Sequence, residues 1–168
     1  MQKQITLGGG CFWCLDAIFK TVTGVTKIES GYAGGEKENP TYLDVCGGKT
    51  GHAEVVRLTY NEDQIKLEDI IRIFFEIHDA TTMNKQGADI GTQYRSVIFY
   101  ENEIEKSIIE KIRDEAQKSL KDPIVTEITP LNNFFIAEEY HQDYYAKNPN
   151  QPYCVAVISP KLTKFIKK

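Results

Sequence analysis

No apolar run in this 168-residue chain approaches the ~20 residues that cross a bilayer as a helix, and Met1 to Leu7 is too short and polar for a signal-peptide core. A membrane partner is not expected, and a cytoplasmic location is. The chain also has no concentrated block of either charge. Its 20 basic and 24 acidic residues are interspersed and leave a formal net charge of -4, so nucleic acid, which calls for a basic face, is not an expected partner. The Lys-rich end (Lys161, Lys164, Lys167, Lys168) is the one exception and reads as a solvated tail. Internal repeats and low-complexity segments are missing, which excludes solenoids and arrays. The length suits one core, so a single domain over 1–168, present as a monomer, is expected. Four cysteines (Cys11, Cys14, Cys46, Cys154) without a secretion signal argue against a disulfide framework and for catalysis or metal binding.

What is present interleaves strand and helix patterns. Gln2 to Leu7 alternates polar and apolar residues and runs into Gly8-Gly9-Gly10, a strand ended by a permissive turn. Leu15, Ile18 and Phe19 mark a helix over Cys11 to Lys20, and Val25 to Tyr32 reads as a strand. Ala33 to Gly51, rich in glycine, reads as irregular loop. Glu54, Val56, Leu58 and Tyr60 alternate with Val55, Arg57 and Thr59, which is strand periodicity and places Glu54 on an apolar face. Ile70, Ile73, Phe74 and Ile77 predict an amphipathic helix, Asp79 to Gln93 a second loop, and Ser96 to Tyr100 a strand. Asn102 with Glu105 predicts a capping box for a helix to about Leu120 with the stripe Ile104, Ile108, Ile112 and Ala116, stopped by Asp122-Pro123. Ile124 to Ile128 and Tyr153 to Ile158 complete the strands, on either side of an aromatic stretch read as part helix, part loop. The expected architecture is α/β (α+β): a two-layer sandwich with a mixed sheet, helices packed on it and long functional loops.

A cysteine directly after three glycines, at the start of a helix, meets unpaired backbone N–H groups and the positive end of the helix dipole. Such positions lower a thiol's pKa, so Cys11 is the expected nucleophile. Phe12 and Trp13 follow it, and consecutive aromatics at a helix start cannot both face the core, so one or both are expected to line a pocket.

Gly-Gly-Gly-Cys-Phe-Trp-Cys at 8–14 resembles the active-site signature of the A-type peptide methionine sulfoxide reductases. The likeness extends in order and spacing through Gly31-Tyr32-Ala33-Gly34-Gly35, Tyr42, Thr50-Gly51-His52-Ala53-Glu54, the segment from Gly87 to Ser96, and Glu139-Tyr140-His141-Gln142. It implies that Cys11 attacks the sulfoxide sulfur, that Phe12 and Trp13 cage the substrate methyl group, and that Glu54 protonates the sulfoxide oxygen. It further implies that Tyr42 and Tyr94 hydrogen-bond that oxygen, that Asp89 belongs to the same polar shell, and that the S epimer is reduced. Expected substrates are oxidised proteins and peptides and free methionine sulfoxide. The chemistry asks for the same parts, because a sulfoxide oxygen leaves poorly until a general acid of raised pKa protonates it, and burial on an apolar face raises a carboxyl.

Oxygen transfer leaves a sulfenic acid on Cys11, which condenses with a second thiol. The resemblance places the resolver near the C-terminus, at Cys154. Cys14, where the family often carries glycine, and Cys46 are the alternatives, and no further C-terminal cysteine is present. Cys46 reads otherwise as a small buried residue. The resulting disulfide would be reopened by thioredoxin, or by dithiothreitol as an external reductant, with no bound cofactor and no metal expected. Two rival readings remain open: a thioredoxin-like C-x-x-C oxidoreductase and a zinc-binding module built on Cys and His52, His78 and His141.

Overall fold

The computed structural model describes residues 1–166. Six strands form one mixed sheet in the order β7 (Glu127–Pro130), β6 (Val97–Tyr100), β1 (Gln2–Gly8), β3 (Ala53–Asn61), β2 (Val25–Ala33) and β8 (Phe135–Ile136). Its centre is β1 (Gln2–Gly8), antiparallel to β3 (Ala53–Asn61) on one side and to β6 (Val97–Tyr100) on the other. β2 (Val25–Ala33) extends the sheet beyond β3, pairing Tyr32 with Glu54. A separate two-stranded ribbon, β4 (Lys85–Gln86) with β5 (Asp89–Ile90), lies in the second expected loop.

The period-2 pattern of β3 sorts its two faces as the sequence implies. Val56, Leu58 and Tyr60 join the main core with α1 (Phe12–Phe19) and α3 (Leu67–Ile77), whereas Ala53 and Val55 join a smaller cluster with Ala33, Val97 and Phe99 on the opposite face. Glu54, on the side of Val56 and Leu58, therefore points toward the helices. This is the mixed-sheet, helix-covered α+β architecture that the periodicity predicts.

The edges are short. β7 (Glu127–Pro130) runs parallel to β6, with Pro130 opposite Tyr100, and β8 (Phe135–Ile136) contributes two residues against β2. The strand expected at Ile124 to Ile128 is thus β7, displaced toward the C-terminus. Within the loop 33–51 lies a short helix, α2 (Tyr42–Cys46), opened by a capping box between Thr41 and Asp44.

Several further expectations need correction. In α4 (Glu103–Gln117), Asn102 does cap the Glu105 N–H, but the Glu105 carboxylate reaches the Glu101 N–H instead, so no capping box forms. Of the expected stripe, Ile112 is buried and Ile108 and Ala116 pack partly buried against the core, but Ile104 is exposed and Glu105 and Ile109 are buried instead. The segment Tyr153 to Ile158 is not a strand. Cys154–Ile158 is a wide helical turn running into α6 (Ser159–Ile166), and α5 (Tyr144–Lys147) precedes it. Its buried residues, Cys154 and Ile158, are four apart, a helical spacing that the β-branched Val155 and Val157 conceal in the sequence. Pro160, which has no N–H to donate, lies where the wide turn gives way to α6. Lys161 and Lys164 belong to this helix rather than to a loose tail, and Lys167 and Lys168 lie outside the described residues. Among the described residues no helix is long and apolar enough to cross a membrane.

Candidate active site

β1 ends at Gly8, and the next two residues turn the chain into α1. Gly10 sits at φ +84°, a region that side chains avoid, and a Cβ on Gly9 would stand 2.9 Å from the His78 ring. The Gly10 N–H is held by the Tyr94 carbonyl at 3.1 Å, which ties the turn to the short helical turn Thr92–Tyr94. Cys11 follows at the N-cap of α1, 8% exposed, with no side-chain cap bond of its own.

The cap is supplied from the sheet. Glu54, 1% exposed at the end of β3, accepts the Phe12 N–H on Oε1 at 3.2 Å, while its Oε2 is buried without a protein partner. Burial is the main reason its carboxyl is raised from 4.5 to about 8, with the nearby Asp89 charge adding to it. The Phe12 N–H and the Cys11 thiol pull the other way. The group therefore keeps its proton at neutral pH, as a general acid must.

Cys11 departs from expectation. Its thiol is pushed well up, first by burial and then by Glu54 and Cys14, and the Trp13 N–H opposes this only in part. The helix N-terminus does not win, because the sulfur is enclosed and faces carboxyl groups. Cys11 rests as a thiol beside the Glu54 carboxyl.

The aromatic pair divides its tasks. Phe12 is fully buried and forms a back wall against Tyr32 and His141, whose ring centroids lie 5.8 and 5.1 Å away. Trp13 is only half-buried, stacked on Tyr144 at 3.7 Å and 6°, with the edge of Tyr153 at 5.8 Å. Tyr42 opens α2 and Tyr94 closes its turn. Burial and the Glu54 carboxyl are among the causes that push both phenols up, so both remain O–H donors. Asp89, on the β4–β5 ribbon, accepts the Tyr153 hydroxyl.

The other three cysteines occupy different surroundings. Cys14 is buried one turn along α1, its Sγ 3.9 Å from the Tyr153 hydroxyl. Cys154 is fully buried; it is among the groups acting on the Cys14 thiol, and burial is what raises its own. Cys46, expected to be buried, is exposed: α2 buries only Val45, and Cys46 falls on the same face as Tyr42, four residues earlier, whose hydroxyl it meets. All four thiols are free.

Glu138 carries no motif that marks it, yet its two oxygens hold the Tyr32 hydroxyl at 2.8 Å and the Tyr42 N–H at 2.9 Å. Tyr144 and Tyr153 were also missed as packing partners of Trp13. Only the density of aromatics between 134 and 153 hinted at them. His52 and His78 use both ring nitrogens on protein groups, Gly35 and Lys37 for the first, Phe74 and Ser96 for the second.

Known proteins match this arrangement over nearly its full length. The family model for peptide methionine sulfoxide reductase matches residues 3–168. A peptide methionine sulfoxide reductase MsrA of Saccharolobus solfataricus is 52% identical over 99% of this chain and 94% of its own. Among solved structures, reduced Mxr1 of Saccharomyces cerevisiae superposes with a TM-score of 0.86 at 40% identity, over 89% of this chain and 87% of that one. Mxr1 in complex with Trx2 superposes at 0.62 and 28% identity, over 85% and 84%. With a buried cysteine and a protonated glutamate meeting at the end of the central strands, and with these matches, the chain belongs to the peptide methionine sulfoxide reductase family.

Proposed function

We propose that Cys11 reduces methionine-(S)-sulfoxide, free or within peptides and proteins, with Glu54 as the proton donor. The observation that carries this reading is the buried Glu54 carboxyl, raised to about 8, with one oxygen fixed by Phe12 and the other unpartnered beside Cys11. The Cys11 sulfur attacks the sulfoxide sulfur while Glu54 protonates its oxygen, and the thiol proton of Cys11 replenishes Glu54. Oxygen ends on Cys11 as a sulfenic acid and the sulfide leaves as methionine, so thiol plus sulfoxide gives sulfenic acid plus sulfide. Tyr42 and Tyr94 hydrogen-bond the oxygen, Trp13 backed by Phe12 receives the methyl group, and Asp89 completes the polar rim. Fixed donors on one side and an apolar wall on the other accept one configuration at sulfur.

A second thiol then condenses with the sulfenic acid, releasing water. The family resemblance points to Cys154, but its full burial means that the wide turn Cys154–Ile158 must open before it reaches Cys11. Cys14 shares the first turn of α1 with Cys11, which moves the role toward Cys14. A thioredoxin-type dithiol reopens the disulfide; the Mxr1–Trx2 complex supports this partner. The test is to offer each epimer of a blocked methionine sulfoxide with dithiothreitol and measure the sulfide. The S epimer is expected to be consumed and the R epimer left; equal rates on both would sink the reading.

A further inference from the structure

Cys14 rests as a thiol, because burial, the largest influence on it, raises its pKa. The thiolate is the attacking form, so condensation of Cys14 with a sulfenic acid on Cys11 must shed the Cys14 proton. The groups that face the Cys14 sulfur are the Lys161 side chain on α6, the Tyr153 hydroxyl, Asp89 on the β4–β5 ribbon, and the thiols of Cys154 and Cys11. An ammonium has no lone pair to offer. Both neighbouring thiols are themselves raised by burial and hold their protons. Asp89 is left as the base.

The path from Cys14 to Asp89 runs through Tyr153. The Cys14 Sγ lies 3.9 Å from the Tyr153 hydroxyl oxygen, and that oxygen lies 2.5 Å from Asp89 Oδ2. A phenol carries one hydrogen, and a carboxylate can only accept. That hydrogen therefore goes to Asp89, and the Cys14 S–H is the donor to the phenol oxygen. Three groups stand in series, each presenting its proton to the next. The backbone beneath the ring is fixed by the Tyr153 N–H, which donates to the Gln151 side chain at 2.8 Å.

We propose that Tyr153 is a catalytic residue of the second half-reaction: its hydroxyl takes the Cys14 proton as Cys14 attacks the Cys11 sulfenic acid, and passes its own proton to Asp89. The S–S bond forms, the S–O bond breaks, and the leaving hydroxide takes the proton that Glu54 holds. Asp89 then returns a proton to Glu54, whose carboxyl it faces, so sulfenic acid plus thiol gives disulfide plus water. This rests on the reading of Cys14 as the resolving thiol. Packing of the Tyr153 ring edge against Trp13 is the competing account, and it needs the ring but not the hydroxyl.

The test is a single turnover: reduced protein is mixed with one equivalent of blocked methionine-(S)-sulfoxide and no reductant. The sulfide formed reports the first step. Capture with dimedone, read by protein mass, reports how long the sulfenic acid lives. Tyr153→Phe keeps the ring and removes the hydroxyl; Asp89→Asn leaves the phenol an acceptor that is no longer a base. Each should slow loss of the sulfenic acid, relative to sulfide formation, by roughly 10²-fold, the low end of the worth of general acid–base catalysis. The slowed step should also quicken by about tenfold per pH unit, following the thiolate fraction, where the wild type changes far less. A relative rate like that of the wild type in either variant, or a slowed step with the wild-type pH dependence, overturns the proposal. Cys14→Ser tests the underlying reading separately. A lasting sulfenic acid there supports Cys14 as the resolver, whereas its loss at the wild-type rate gives that role to another thiol, whatever Tyr153→Phe does, and removes the relay with it.

Discussion

Replacing Glu54 with Gln should make the protein both nearly inactive and more stable, and the gain in stability should depend on pH. A carboxyl raised from 4.5 to about 8 by folding holds its proton more tightly in the native state than in the unfolded chain. Its contribution is most favourable below the unfolded value, is lost as pH rises through the interval up to the folded value, and is constant beyond it. At 1.36 kcal/mol per pKa unit, the wild type should lose about 2.5 kcal/mol from this one group between about pH 5.5 and 7.5. Glu54 is almost fully buried, so solvent screening takes little from that figure. Glutamine does not titrate, and whatever its amide costs or gains by packing is the same at both pH values. The difference in unfolding free energy between variant and wild type should therefore widen by about 2.5 kcal/mol across that window. Urea titrations of both proteins under reducing conditions measure it directly. Parallel stability profiles would mean that Glu54 is already ionised at neutral pH and would remove the general acid from the mechanism. In turnover, the variant should lose roughly 10²–10⁴-fold, and the wild type should decline as pH rises through about 8, where the acid form is lost.

Cys11→Ser should abolish sulfoxide reduction with dithiothreitol while leaving the circular dichroism spectrum unchanged, since a serine hydroxyl is a poor nucleophile at this site; turnover near wild type would place the chemistry elsewhere. Of the two resolving candidates, Cys14→Ser should keep one stoichiometric reduction yet lose thioredoxin-driven cycling, and Cys154→Ser should cycle close to normally; the reverse pattern would return the role to Cys154. Glu138→Ala strands the Tyr42 N–H and the Tyr32 hydroxyl, and should cost about 1–3 kcal/mol of stability together with a raised KM, read by thermal melting and steady-state kinetics.

How much of this was legible in the sequence varied with how local the cause was. The alternation in β3 placed Glu54 on the helix-facing side because side-chain direction in a strand follows from parity alone. The candidate site residues Cys11, Tyr42, Glu54, Asp89 and Tyr94, drawn from four separate motif segments, came from motifs in register rather than from periodicity. The segment 153–158 misled because Val155 and Val157 suggest a strand, and only packing against α1 shows that Cys154 and Ile158 are the inward pair. The acidity of Cys11 also misled. A helix N-terminus is visible in sequence, whereas the enclosure and the carboxyl that outweigh it are tertiary. Glu138 could not be found at all from its neighbours, since its partners are 106 and 96 residues away.

The short outer strands of the sheet carry a different consequence. An exposed strand edge is a template for any extended polypeptide that meets it. Here one side ends in β7, four residues closing on a proline that has no amide hydrogen to offer, and the other in the two residues of β8. Borders this short and blunt leave an extended polypeptide little backbone to pair with, so a chain that meets this protein is not drawn into its sheet.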